Sequence, residues 1–107
     1  MSYYGISAIK LDSTGAEVEE AKVHKFSKNA SADSEDGLDE GTAMAYHQVA
    51  SLINTCGDTV FVIVPNDHGG YRHTDKVRVK PGQYEYLESF GTNGTATTAL
   101  MELPKYQ

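Results

Sequence analysis

Apolar and polar positions alternate loosely through "YYGISAIKLD", with β-branched residues among them, which predicts a first strand over about Tyr4–Leu11. "DSTG" (Asp12–Gly15) is turn chemistry: the aspartate side chain closes a local turn and the glycine takes positive φ without steric cost. "AEVEEAKVHKF" fits neither period well, because Val23 lies five residues from Val18 and three from Phe26. The short connection before it favours a hairpin return, read as a strand with a bulge near Glu19–Glu20. "TAMAYHQVASLINTCGD" (Thr42–Asp58) carries helical spacing, with Ala45, Val49, Leu52 and Ile53 on one face. Thr42 is the expected N-cap and Gly57 the expected C′ glycine.

"TVFVIVP" (Thr59–Pro65) is apolar on both faces, Val60, Val62 and Val64 pointing one way, Phe61 and Ile63 the other. A strand covered on both sides belongs in the middle of a sheet, and Pro65 ends it because proline cannot donate to a ladder. Phe61, Ile63 and Leu52 are therefore expected in the core. "NDHGGY" (Asn66–Tyr71) is hairpin chemistry, followed by a half-buried strand over about Arg72–Lys80, with Val77 and Val79 on one face and Lys76, Arg78 and Lys80 on the other. "KPGQ" supplies a second tight turn and "QYEYLE" (Gln83–Glu88) a third strand, with Tyr84 and Tyr86 sharing a face. A turn at Asn93–Gly94 follows, and Leu100, Met101 and Leu103 are expected to dock as a short helical turn or irregular clasp. The elements read β-β-loop-α-β-β-β-tail: an α+β domain with a small, mostly antiparallel sheet of about five strands and one packed helix.

One segment breaks this patterning. Ser27–Gly41 is small, polar and acidic, with Leu38 as its only large apolar residue. Asp33, Glu35, Asp36, Asp39 and Glu40 supply five of the fifteen acids. Such a segment buries too little to offset its ordering entropy, so residues 27–41 are expected to form a mobile acidic loop in a single domain of residues 1–107. The ordinary reading is a solvated linker; the sharper one is a lure for a basic partner. The net charge of −6 argues against a nucleic-acid backbone as the default partner. No apolar run approaches the roughly 20 residues of a membrane span, and the start has no basic region ahead of an apolar one. Cys56 stands alone, so no internal disulfide forms, and a cytoplasmic location is expected.

"YLES…NG…TALMELP" resembles the end of a family of small bacterial and phage-associated proteins labelled only as a domain of unknown function (number three-eight-nine-two). The Tyr86-Leu87 pair, the Asn93-Gly94 turn, and Leu100, Leu103 and Pro104 are the matching positions. "VRVKPGQYEYL" and "MAYHQVASLINTCGDTVFVIV" resemble the family's strand and helix-strand patterns, so the likeness covers roughly residues 42–104 with a weaker match at the first hairpin. Thr98 and Ala99 depart from it, standing where the family commonly has asparagines, and the acidic loop is longer. The resemblance implies a β-hairpin, a helix and three short strands, and it supplies no catalytic residues.

Candidate chemistry is sparse. His68 and His73 with Asp67 and Asp75 are the weak candidates for a metal, but zinc needs three or four converging ligands. A third would have to come from His24, His47 or Glu85, which no motif places there, so these residues read as a surface turn and no metal or cofactor is expected. Cys56 lies at a helix C-terminus, where the dipole disfavours thiolate, and reads as a partly buried structural cysteine. His47 reads as a boundary residue. No glycine-rich phosphate loop is present. Two binding features stand out: the acidic loop, and a basic strip of Arg72, Lys76, Arg78 and Lys80 bordered by Tyr71, Tyr84 and Tyr86. The leading expectation is a non-enzymatic interaction protein that binds a protein partner with a basic surface. Its contacts would be Asp33, Glu35, Asp36, Asp39, Glu40, Arg78, Tyr84 and Tyr86. In a phage or mobile-element setting it would be an inhibitor of a host nucleic-acid-binding system. The alternatives are a single-strand nucleic-acid or RNA-binding module using the strip at 72–80, and a small metal-assisted enzyme at His68/His73.

Overall fold

A computed structural model describes residues 3–15, 17–25, 41–65, 71–80 and 86–106. Along the chain come β1 (Tyr3–Leu11), β2 (Val18–Lys25), β3 (Thr42–Ala45), α1 (Tyr46–Asn54), β4 (Thr59–Pro65), β5 (Tyr71–Val79), β6 (Leu87–Phe90) and β7 (Ala96–Thr97). The strands form one sheet in the order β3-β2-β1-β4-β5-β6-β7. The α+β class holds, with corrections. Among the described residues the sheet has seven strands instead of about five, and it is mixed, because β1 and β4 run parallel with Gly5 opposite Phe61 and Ile6 opposite Val62. β4 takes the middle position, as its two apolar faces require.

The first hairpin turns on Asp12, whose Oδ1 accepts from the Thr14 amide at 3.1 Å and the Thr14 hydroxyl at 2.6 Å. Lys10 pairs with Glu20 and Leu11 with Val18, which leaves Glu19 as the extra residue of the expected bulge. A second irregularity was not foreseen: Ile6 pairs with Val23 and Ala8 with Lys22, so Ser7 is extra on β1. A bulge locally bends the strand that carries it. Below it β1 pairs with β4, and above it Ile9 exchanges hydrogen bonds with the tail, its amide to Pro104 O and its carbonyl from the Tyr106 amide, both at 3.0 Å. Glu17, just before β2, meets Lys80, just after β5, at 2.6 Å, so the sheet curls enough for non-neighbouring strands to touch.

The segment Thr42–Ala45 corrects the helix. It is a strand paired with β2, Val23 opposite Thr42 and Glu20 opposite Ala45. Its sequence favours a helix, but pairing with β2 satisfies its backbone, and the helical period takes hold only at Tyr46. The N-cap is Ala45, in extended conformation, and its amide donates to Gln48 Oε1 at 2.9 Å. The inward stripe becomes Tyr46, Val49, Ala50 and Ile53, one position round from the expected one. Leu52 is half-buried and stands outside the core, contrary to expectation. The chain leaves the helix through Gly57 at φ 70, with the Asp58 amide on Leu52 O at 2.9 Å.

The core lies between α1 and one face of the sheet. Ile6, Ile9, Val18, Ala21, Val60, Val62 and Leu87 face Val49 and Ala50 there. Leu100 and Leu103 close the core as the expected clasp, 1% and 3% exposed. Each such side chain contributes about 1.5–3 kcal/mol by leaving water, which a nine-residue helix needs, being too short to hold its shape alone.

Candidate functional site

The other face of the sheet is built differently. Phe61 and Ile63 form a separate small apolar cluster with Tyr71 packed on it. Tyr3 stacks on Phe61 with ring centroids 6.2 Å apart, and the His73 ring lies 4.9 Å from Phe61 on its other flank. His24, only 5% exposed, joins this face at the β1 bulge, where its Nε2 lies 2.7 Å from Ser7 Oγ. Gly41 holds φ +87 against that imidazole, so close that a Cβ there would lie 2.7 Å from His24 Cε1.

Across three strands the cross-strand pairs place Phe61, Lys76 and Phe90 side by side: Lys76 is opposite Phe61 on β4 and opposite Phe90 on β6. A cleft of about 390 Å³ opens here, lined by Phe61, His73, Asp75, Lys76 and Phe90 and by Gly91, Thr92 and Gly94 of the β6–β7 turn. Its shape comes from another bulge. Phe61 pairs with Lys76 but Ile63 with His73, so β5 carries one residue more than β4 between them. The bulge also interrupts the alternation that would line up the basic strip. Arg72 pairs with Val64, whose side chain packs on the helix-side core, while Lys76 pairs with Phe61 on the far side.

The strip is also partly neutralised. Arg78 Nε is 2.8 Å from Glu88 Oε2, with its guanidinium 4.7 Å over the Phe90 ring, and Lys80 is held by Glu17. Tyr86 turns to the helix, its ring 5.0 Å from Tyr46. Asp75 Oδ2 accepts from the Thr97 hydroxyl at 2.6 Å; that hydroxyl lies 2.8 Å from Ser89 Oγ, which accepts from the Leu100 amide at 3.0 Å. The carboxylate is thus fixed from the buried side by a chain of neutral groups.

His73 and Asp75 both line the cleft, and among the described residues no three His, Cys, Asp or Glu side chains are grouped to hold a metal ion. His68, Asp67, Tyr84, Glu85 and the acids Asp33, Glu35, Asp36, Asp39 and Glu40 lie outside the described residues. Cys56 is exposed just past α1, which corrects the reading of a partly buried thiol: the helix ends before it and its side chain leaves the apolar stripe. His47 is exposed and meets Tyr46 edge-on at 5.5 Å. Sequence reasoning missed Phe90, taken as part of the tail, and the Ser7–His24 pair, which only the bulge brings together. Among the described residues no helix is long and apolar enough to cross a membrane. Comparison with family models, with curated proteins and with solved structures finds no match to this chain.

Proposed function

We propose that this chain is a non-enzymatic protein that acts by docking on another protein through its acidic segment. The observation that carries the reading is where the segment is anchored. β2 and β3 are antiparallel neighbours, with Val23 opposite Thr42 at the end of the pair, so residues 26–40 join two adjacent strands at the edge of the sheet. The acids Asp33, Glu35, Asp36, Asp39 and Glu40, against Lys28 alone, give residues 26–40 a net charge of −4, in a chain whose net charge is −6. A concentrated charge steers association with a surface of opposite sign. The ion pairs of Arg78 and Lys80 add support, because they leave the basic strip with less charge for a phosphate backbone. A basic partner of this kind is the cationic groove of a nucleic-acid-binding protein, for which an acidic surface competes; an inhibitor of such a host system is the finer form of the proposal.

The test replaces the five acids with amides and compares capture from the native host at two salt concentrations, followed by association kinetics with the purified captured protein. The proposal expects a basic protein that wild type retains at low salt, releases at high salt, and that the amide variant associates with more slowly. Equal association rates for both forms would make the segment a linker.

A further inference from the structure

The turn between β6 and β7 carries an asparagine followed by a glycine, Asn93 and Gly94, both exposed. Three hydrogen bonds close it. The Gly91 amide donates to Thr95 O at 3.0 Å, the Gly94 amide to Gly91 O at 2.9 Å, and the Thr95 amide to Asn93 Oδ1 at 3.0 Å. Gly94 sits at φ 81, in the left-handed region that a residue with a Cβ enters only under strain. The turn therefore requires a glycine after Asn93. That same glycine makes the pair chemically labile. With no side chain at position 94, nothing shields the Gly94 nitrogen from the Asn93 carboxamide carbon, and a Cβ placed there would meet open space.

We propose that Asn93 is a site of spontaneous deamidation, gated by local opening of the β6–β7 hairpin. The Gly94 nitrogen gives its proton to hydroxide and attacks Asn93 Cγ. The bond from Cγ to the side-chain nitrogen breaks, and that nitrogen takes a proton from water and leaves as ammonia. Water then opens the cyclic imide. Opening at the side-chain carbonyl gives aspartate; opening at the main-chain carbonyl gives isoaspartate. One water is consumed, one ammonia is released, and nothing is oxidised or reduced. The closed turn holds this attack off twice, because Gly91 O engages the Gly94 N–H and the Thr95 amide fixes the carboxamide. β7, however, is paired only at Ser89–Thr97 and Phe90–Ala96, so the hairpin opens at low cost. The two products part ways structurally. Aspartate still offers an oxygen to the Thr95 amide and keeps the turn. Isoaspartate routes the main chain through the side-chain methylene, one carbon longer, so the Gly91–Thr95 closure no longer fits. Thr97 is then drawn away from Asp75 and Ser89. This inference goes beyond docking through the acidic segment and does not rest on it.

The experiment incubates the full chain in mildly alkaline buffer, with and without unfolding urea, and follows each asparagine by peptide mass mapping and enzymatic isoaspartate methylation. Asn54, exposed at the end of α1 and followed by the β-branched Thr55, is the internal control. Conversion at Asn93 should outrun that at Asn54. In the native chain it should be about twenty-five-fold slower than in urea, roughly fivefold for each of the two hydrogen bonds released. Thr97→Val removes the hydroxyl that ties β7 to Asp75 and Ser89, and should speed the native reaction about fivefold while leaving the rate in urea unchanged. Ser7→Ala weakens the fold away from the hairpin and should leave the native rate as it is. The separated isoaspartate form should lose amide-exchange protection at Gly91 and Leu100. Equal rates in native buffer and urea, faster conversion at Asn54, the same acceleration in Ser7→Ala as in Thr97→Val, or full protection in the isoaspartate form would each overturn the proposal.

Discussion

The two faces of the sheet come from the same strands and are built on opposite principles. On the helix side, the strand residues of the core are aliphatic and meet α1 and the tail; among the described residues Ser89 is the one polar side chain buried with them, and its hydroxyl is engaged by Thr97 and the Leu100 amide. On the other side, Ile63 is buried among rings, imidazoles and charges: Tyr3, His24, Phe61, Tyr71, His73 and Lys76. Close packing of aliphatic side chains leaves no room for a ligand. Rings held by cross-strand stacking and tilted contacts, with bulges that displace β1 and β5, leave a cleft. The first face supplies stability, and the second gives up part of that packing for a surface with chemistry.

The largest expected effect breaks the comparison most directly. Ile6→Ala empties a site with 0% exposure between β2 and β4 and should cost about 4 kcal/mol in urea unfolding. Phe61→Ala removes a larger side chain yet should cost less, about 3 kcal/mol, because its hollow opens onto the cleft and fills with water. Equal or greater loss at Phe61 would make the far face a second core and the cleft incidental.

Gly41→Ala comes next. It puts a side chain in a positive-φ position against His24 and should cost about 2 kcal/mol. Gly15→Ala, at φ +74 with nothing within 4 Å, is the matched control and should cost only the backbone part, about 1 kcal/mol. Identical losses would show that the imidazole gives way freely, and that the far face is softer than its contacts suggest.

Ser7→Ala tests the polar side of the same site. It takes away the hydroxyl 2.7 Å from His24 Nε2 beneath a nearly closed surface, and should cost about 1–2 kcal/mol. A neutral substitution would mean that the bulge at Ser7, and not its hydrogen bond, is what β1 requires.

The smallest effect lies at the tail. Burial, a hydrogen bond to Glu20 and that carboxylate's charge push the Tyr106 phenol up to about 12. Folding therefore favours the neutral phenol. The stability it contributes is complete below the ordinary tyrosine value near 10, and it is lost as pH climbs through that value to about 12. Thermal unfolding of wild type against Tyr106→Phe should differ in slope only across that window. Parallel curves would remove Tyr106 from the clasp.

The sequence by itself determined the features that rest on local chemistry or on uninterrupted period. The Asp12 turn, the bulge at Glu19, the central place of β4 and the docking of Leu100 and Leu103 all follow from residue types at fixed offsets. The tertiary structure alone decided Thr42–Ala45, whose alanines and methionine suit a helix until β2 offers a paired edge, and with it the inward stripe of α1. It also decided the parallel pairing of β1 with β4, a contact between segments more than fifty residues apart that no local pattern encodes. The cleft belongs to the same class. Phe61, Lys76 and Phe90 sit in three separate strands, and a one-residue bulge in β5 sets which of its side chains join them. An alternating pattern fixes the face of a residue only while the ladder is regular, and one extra residue reverses every assignment beyond it.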